Sequence, residues 1–151
     1  MKVRRGVMYN FIVATECAIE YNGKFLIIKR PDGVHAAGLL SFPGGKFEAS
    51  DAIDNEDAAK QAVKREVLEE VGLNLIDPIN YVRTSCFFDD KNGKQVLDII
   101  YHCKLEKTKI KVAPSAREVP EHYWLTYEEI VKAPNCPKWL KSYIKTIIRL
   151  L

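Results

Sequence analysis

Three glutamates occupy a short segment whose residue types and spacing could bind metal ions. Glu66, Glu69 and Glu70 lie within one stretch of five residues, and an α-helix, turning about 100° per residue, would bring them together on one side. Clustered carboxylates repel one another unless positive charge offsets them, and hard divalent cations prefer oxygen ligands. Arg65, four residues before Glu69, could brace that carboxylate. The segment therefore predicts a cation-binding helix, with an ordinary solvated acidic face as the alternative.

A helix over residues 57–71 would position these carboxylates. Val63, Val67 and Val71 recur every four residues and can face a core. Their stripe is rotated by roughly a quarter turn from the glutamates. Gly72 is a plausible helix stop. One side of the helix can therefore be buried while the neighbouring side carries the negative charge.

The other predicted elements are mainly hairpin strands. Asn22-Gly23 and the segment 89–94 are hairpin signals, whereas Pro43-Gly44-Gly45 should end any regular strand. An amphipathic helix should close the chain at 137–150. Strands are predicted at 8–20, 24–30, 79–88, 95–104 and 123–126, a helical turn at 127–132, and loops at 31–38 and 107–120. This mixture predicts an α/β fold of the α+β type, with a mixed sheet between helices, in a single domain spanning 1–151.

Bulk composition excludes some classes of protein. The formal net charge of +3 gives no sign of a nucleic-acid binder. The four cysteines are far apart in the sequence, which disfavours a structural zinc site and predicts separately buried thiols. The sequence has no run of 18 apolar residues, so no membrane span is predicted. The N-terminus does not resemble a signal peptide. The default expectation is a cytoplasmic protein without a membrane partner, and a homodimer stays open.

Two sequence motifs now identify a resemblance. The segment from Arg65 to Leu73 agrees with R-E-U-x-E-E-x-G-U, where U is aliphatic, at all seven specified positions. Pro43-Gly44-Gly45, followed by Glu48, looks like the P-G-G-x-x-E that opens the same box. On these residues the chain resembles the Nudix hydrolase family, of the MutT-like kind. The resemblance implies a Nudix-like α/β/α sandwich.

The front of the box departs from the family pattern. At the usual spacing after Gly45, Asp51 stands where the family has Glu, and thirteen residues then separate it from Arg65. Counting back from Arg65 places Asp57 at that position instead. Either aspartate could substitute for the glutamate, or neither. The loop over 49–57 is about six residues longer than the box expects, and we interpret it as a surface elaboration.

The resemblance also implies roles for individual residues. Mg²⁺ or Mn²⁺ would be ligated by the Gly45 carbonyl and by Glu66, Glu69 and Glu70, with Arg65 orienting the glutamates. Glu48 would ligate the ion or support the site from its edge. A protein base would assist water attack at phosphorus. Candidates for this base are Glu66 and Glu118, with Glu121 competing for the role.

Substrate contacts are predicted less sharply. Lys29 and Arg30, at the end of a strand, could touch phosphates or be ordinary surface charge. Four aromatic residues could stack on a base, although aromatics at strand positions more often belong to a core. They are Phe42, Phe87, Phe88 and Trp124.

The implied activity is metal-dependent hydrolysis of a phosphoanhydride bond in a nucleoside diphosphate linked to another moiety. A nucleoside triphosphate pyrophosphohydrolase is the favoured reading, with ADP-ribose or a nucleotide sugar as the next substrate class. A catalytically silent nucleotide-binding regulator is a rival from another class. RNA decapping is a further rival, which the weak net charge disfavours.

Overall fold

The computed structural model describes residue 6 and residues 9–53, 56–106, 110–115, 119 and 121–151. Within them the chain forms seven strands and four helices. The strands are β1 (Phe11–Tyr21), β2 (Lys24–Lys29), β3 (Leu40–Ser41), β4 (Gly44–Lys46), β5 (Ile79–Asp89), β6 (Lys94–Lys104) and β7 (Glu121–Leu125). The helices are α1 (Ala49–Ala52), α2 (Ala58–Val71), α3 (Tyr127–Lys132) and α4 (Lys138–Leu150).

One mixed sheet organises the described chain. Its main order is β3-β2-β1-β6-β5, while β4 pairs with β1 and β7 pairs with β2. β1 and β6 are parallel, with partners running from Phe11↔Gln95 to Glu20↔Lys104. The other pairings are antiparallel. The mixed sheet predicted from the hairpin pattern is therefore confirmed, and its parallel centre joins two strands distant in sequence.

Each face of the sheet is covered by helices. On one face, α2 inserts its fully buried stripe of Val63, Val67 and Val71 against residues of β1, β2 and β6. On the other, α3 and α4 pack Ile130, Leu140 and Ile144 against the same strands. Alternate residues of a strand point to opposite faces, so β1 supplies both cores. The predicted arrangement of a sheet between helices is confirmed.

Local turn chemistry follows the sequence, with one exception. Asn22 and Gly23 both adopt positive φ, at 50° and 72°, in the β1–β2 hairpin. β3 ends at Ser41, before Pro43-Gly44-Gly45 as predicted, but a new strand begins inside this segment, because Gly44 and Gly45 belong to β4 and pair with β1. α1 was also not predicted. Its four residues are too few to show a helical hydrophobic period.

The remaining sequence expectations have mixed outcomes. Cys17, Cys103 and Cys136 are buried, but Cys86 is exposed, so the prediction of separately buried thiols is wrong there. The described parts of the 107–120 loop, at 110–115 and 119, contain no regular secondary structure. Among the described residues, no helix has the length and hydropathy needed to cross a bilayer.

Candidate active site

α2 begins and ends with capping interactions that fix where its carboxylates lie. The Asp57 side chain accepts a hydrogen bond from the Lys60 backbone N–H, 3.1 Å away, at the N-cap. Gly72 at the other end has φ of 72° and donates its N–H to the Leu68 carbonyl. The predicted helix and its glycine stop are confirmed to within a residue. The caps fix the two ends of α2. The glutamates then lie on the side of the helix next to the buried valines.

Arg65 is the centre of the acidic site. Its Nη1 lies 2.8 Å from Glu66 Oε1, 2.9 Å from Glu69 Oε2 and 3.4 Å from Glu48 Oε1. Only 16% of the Arg65 side chain is exposed, so these contacts are partly screened from water. The surrounding carboxylates raise the pKa of the guanidinium above its already high usual value. Arg65 therefore remains charged and holds several carboxylates in place.

The structure distinguishes between the two aspartates left open at the front of the box. Asp51 is 1% exposed and receives two parallel hydrogen bonds from Arg65, each 2.9 Å long. It also accepts the Glu48 backbone N–H at 2.8 Å. The Arg65 hydrogen bonds are the main cause of the lowered pKa of Asp51. Asp57 caps α2 instead, so Asp51 occupies the place that pairs with the box arginine.

Gly44 and Gly45 allow the backbone of β4 to approach β1 and α2 closely. A Cβ on Gly44 would overlap the Thr15 carbonyl oxygen, and one on Gly45 would overlap the Glu66 carboxylate. Larger residues would therefore separate the strand from the acidic side chains. The Gly45 backbone thus lies directly beside Glu66, and a metal-ligating role for the Gly45 carbonyl stays a prediction.

The donor set in this region fits a hard divalent cation. Oxygen atoms of Glu48, Glu66 and Glu69 all lie within 4.8 Å of one another. Burial raises the pKa of Glu66, against the opposing effect of Arg65, and the negative charges of Glu69 and Glu48 raise it further. A cation would relieve this repulsion, and carboxylate oxygens are what Mg²⁺ and Mn²⁺ prefer.

The fourth glutamate has a different environment. Glu70 is only 8% exposed and lines a cavity of about 340 Å³ together with Gly45 and Glu66. The structure therefore brings Glu66 and Glu69 together with Glu48, whereas Glu70 is buried and is not in this group of oxygens among the described residues. Of the two roles that the resemblance implies for Glu48, ligand or support from the edge, its place in this group of oxygens favours the role of ligand.

The predicted substrate-contacting residues separate into two groups. Arg30 lines the same cavity, and its Nε donates a 2.7 Å hydrogen bond to the His35 carbonyl. Phe42 also lines it, although it is 1% exposed and belongs to a core. Lys29 does not line this cavity and lies 3.5 Å from Glu121. Arg30 is thus better placed than Lys29 to meet a phosphate.

The remaining candidate residues are the two alternative bases and one aromatic residue. Glu118 lies outside the described residues. Glu121 is exposed and contacts Lys29 and the Tyr123 hydroxyl, in neither of the two described cavities. Trp124 packs edge-on against Tyr21, with ring centroids 6.0 Å apart, and also lines neither cavity. Among described residues, Glu66 is therefore the remaining candidate base.

Sequence reasoning missed a second pair of acids. Glu16 on β1 and Asp98 on β6 both line the cavity that contains Glu66, and their carboxyl groups share a hydrogen bond. The available signal was an acidic residue among apolar neighbours in each strand, Glu16 in β1 and Asp98 in β6. Joining them required knowledge of the parallel β1–β6 pairing.

Comparison with known proteins identifies the family. The family model for the NUDIX domain matches residues 12–147. The chain therefore belongs to the Nudix hydrolase family, and the prediction made from its motif is confirmed.

Individual relatives show how far the similarity extends. A CTP pyrophosphohydrolase of Escherichia coli (strain K12) is 40% identical over 55 residues, which span 36% of this chain and 36% of that protein. The crystal structure of a MutT protein from Methanosarcina mazei Go1 is similar with a TM-score of 0.76 and 23% identity, covering 96% of this chain and 98% of that one. The NUDIX domain of Shewanella oneidensis NrtR, complexed with ADP ribose, has a TM-score of 0.73 and 15% identity, covering 95% and 91%. At these identities the structural likeness shows the fold alone.

Proposed function

We propose that this chain hydrolyses a phosphoanhydride bond of a nucleoside triphosphate with the help of Mg²⁺ or Mn²⁺. The observation that carries the proposal is the convergence of Glu48, Glu66 and Glu69 oxygens within 4.8 Å beside a cavity. Such a grouping suits a cation that must also meet phosphate oxygens. The partial similarity to a CTP pyrophosphohydrolase supports a triphosphate substrate.

Each part of the site has a task in this reaction. Glu48, Glu66, Glu69 and Glu70, with the Gly45 carbonyl, would hold the cation, which supplies positive charge against the phosphates and activates water. Arg65 keeps the glutamates in position through its 2.8–2.9 Å contacts.

The cavity side of the site orients the substrate. Arg30 faces the same cavity as Glu66 and would bind phosphate oxygens. Glu66 lines the cavity, where its raised pKa, caused mainly by burial, would suit it to accept a proton from attacking water.

ADP-ribose and nucleotide sugars are the alternative substrates, and a silent regulator is the alternative class. The regulator reading is disfavoured because all three glutamates of the motif are present. The whole chain would act as one Nudix domain.

The test is a screen for product release from nucleoside triphosphates, ADP-ribose and nucleotide sugars with Mg²⁺ or Mn²⁺. We expect triphosphates to be the best substrates. Glu69→Gln and Glu70→Gln should each lower turnover by at least about tenfold, because each removes a ligand charge. Glu128→Gln, on the exposed face of α3, is the matched control and should retain activity.

A binding readout accompanies the activity screen. Mn²⁺ should raise the melting temperature of the unaltered protein, because a ligand bound only by the folded state stabilises it. The shift should shrink in Glu69→Gln but not in Glu128→Gln. Undiminished turnover in both Glu69→Gln and Glu70→Gln would refute the proposed site.

A further inference from the structure

A second cavity adjoins the acidic site. Its volume is about 560 Å³, within the range of small-molecule sites. It shares part of its wall with the cavity that contains Gly45, Glu66 and Glu70. The shared residues are Glu16, Arg30, His35, Phe87 and Asp98. A ligand with phosphates at the cation site could therefore extend its other end into this second cavity.

An acid pair forms the boundary between the two cavities. Asp98, which is 3% exposed, and Glu16 lie on adjacent parallel strands, with Asp98 opposite Ala14. Burial is the largest cause of the raised pKa of each carboxyl, and Asp98 raises that of Glu16 further, well above its usual value. Arg30 opposes this effect on both carboxyls. Burial therefore favours a proton held between the two carboxyl groups.

One oxygen of this pair lacks a donor. Asp98 Oδ1 is buried and has no hydrogen-bond partner among the described residues. The hydroxyl of Ser41, which is 2% exposed and lines the second cavity, also has none among them. A buried carboxyl oxygen without a donor is costly. An N–H group of a ligand would offset that cost.

The rest of the second cavity suits a flat aromatic ring. Phe87, Phe88 and Trp139 contribute to its wall, and Phe88 and Trp139 remain 55% and 37% exposed. Phe87 stacks almost parallel on His35, with ring centroids 5.2 Å apart and an interplanar angle of 14°. Exposed aromatic rings beside a buried acceptor are the combination that a nucleobase needs for stacking and for a polar contact at its edge.

We propose that the second cavity binds the nucleobase of the substrate, and that Asp98 accepts a hydrogen bond from an exocyclic amino group of cytosine or adenine. The inference rests on the proposed function, because the phosphates must occupy the site around Glu66. Uracil presents a carbonyl oxygen where cytosine presents the amino group, and two acceptors facing each other would repel. Asp98 is therefore a specificity-determining residue.

Equilibrium binding of nucleoside monophosphates tests this without requiring turnover. We expect CMP or AMP to bind at least about tenfold more tightly than UMP, the scale of one well-placed polar contact in base recognition. Asp98→Asn should reduce that ratio to within about threefold, because an amide can offer either a donor or an acceptor. Asp32→Asn, at an exposed loop position, is the control and should keep the ratio.

A ligand-side change keeps the test independent of the folding of the variant. A CMP analogue with hydrogen in place of the 4-amino group should bind the unaltered protein at least about tenfold more weakly than CMP, provided that the cavity favours cytosine. The matching analogue of AMP tests adenine in the same way. Trp139→Ala should weaken the binding of all three monophosphates and leave the ratios of their affinities unchanged. Stacking does not depend on the groups at the edge of the base.

The outcomes separate this inference from the proposed function. Triphosphate turnover with equal binding of CMP, AMP and UMP would overturn the role of Asp98 and leave the hydrolase proposal intact. A preference for amino-bearing bases that Asp98→Asn removes, in a protein that hydrolyses no triphosphate, would support the base site and refute the proposed activity. Absence of binding by all three monophosphates would overturn the base site.

Discussion

Acidic side chains gather at two places in this molecule, and the two groups offset their negative charge in different ways. Around Arg65, the carboxylates of Glu48, Asp51, Glu66 and Glu69 share one guanidinium. At the β1–β6 pairing, Glu16 and Asp98 instead share a hydrogen bond, and the pKa of each is raised by burial. We propose that the first group binds a cation, whereas burial of the second group favours retention of a proton.

The same contrast explains why the two groups could serve different parts of one ligand. A cluster in which carboxylates outnumber the single guanidinium attracts a divalent ion and, through it, phosphates. A buried pair with one proton carries less charge and presents a directional acceptor, Asp98 Oδ1. Directional acceptors discriminate between neutral groups, whereas net charge attracts any cation.

The largest effect should come from pushing the backbone away from the acidic cluster. Gly45→Ala adds a methyl group that would overlap the Glu66 carboxylate. We expect kcat/KM for the best triphosphate to fall by about 100-fold, the scale on which misplacement of reacting groups reduces rates. Gly6→Ala is the control, because a Cβ there would meet nothing within 4 Å. Equal activity of both variants would show that close approach of Gly45 to Glu66 is not needed.

Removing the buried partner of Arg65 should lower stability and depend on pH. Asp51→Asn weakens two 2.9 Å hydrogen bonds from the guanidinium, and we expect a loss of about 2 kcal/mol in the free energy of unfolding near pH 7. The pKa of Asp51 is lowered in the folded protein, so its contribution is present above the unfolded value of about 3.9 and is lost as pH falls through the folded value.

Urea unfolding between pH 2.5 and pH 7 would measure the dependence on Asp51. The difference between the unaltered protein and Asp51→Asn should be constant above about pH 4.5 and should shrink below it. A difference that is the same at every pH would contradict the assignment of charge-assisted pairing to Asp51.

The surroundings of Gly45 and Asp51 also show which parts of the site could be predicted from the sequence. Arg65, Glu66 and Glu69 lie within one helical segment, so the period of the helix alone brings them together. Gly45 and Glu48 followed from the family pattern. Asp51 could not be chosen over Asp57 from spacing, because the choice depends on how α1 turns the chain back toward Arg65.

The acid pair illustrates what the sequence could not predict. Glu16 and Asp98 are separated by most of the chain, and only the parallel β1–β6 register makes them neighbours. Hairpin signals predict antiparallel partners that are close in sequence, but nothing comparable marks the distant parallel pair. The strands were therefore predicted correctly while their most important contact was not.

The stability contributed by Glu16 should depend on pH with the opposite sign to that contributed by Asp51. Neutralising Glu16 should therefore remove this dependence. Burial and Asp98 raise the pKa of Glu16 in the folded protein, so the folded state binds a proton that the unfolded state has released. Stability should then fall as pH rises from the unfolded value of about 4.3 toward the folded value, by about 1.4 kcal/mol per pH unit where the difference is one full proton.

Glu16→Gln removes this titration while keeping a hydrogen-bond donor for Asp98. Relative to the unaltered protein, we expect the variant to gain stability as pH rises above about 4.3. Urea unfolding across the same pH series measures this difference in stability. Glu128→Gln on the surface of α3 is the control. A variant that instead loses stability with rising pH would show that Glu16 is ionised and paired in the folded state.

The smallest effect should come from Asp57, and it separates the two aspartates of the box. Asp57→Ala removes the N-cap hydrogen bond to Lys60, which should cost about 1 kcal/mol of stability. Turnover should stay within about twofold of the unaltered protein, because Asp57 does not contact Arg65 among the described interactions. Asp51→Asn should lower turnover by about tenfold in the same assay, since Arg65 then holds the glutamates less firmly. The reverse order of the two effects would mean that Asp57 supports the acidic cluster and that the long loop only brings Asp51 close to it.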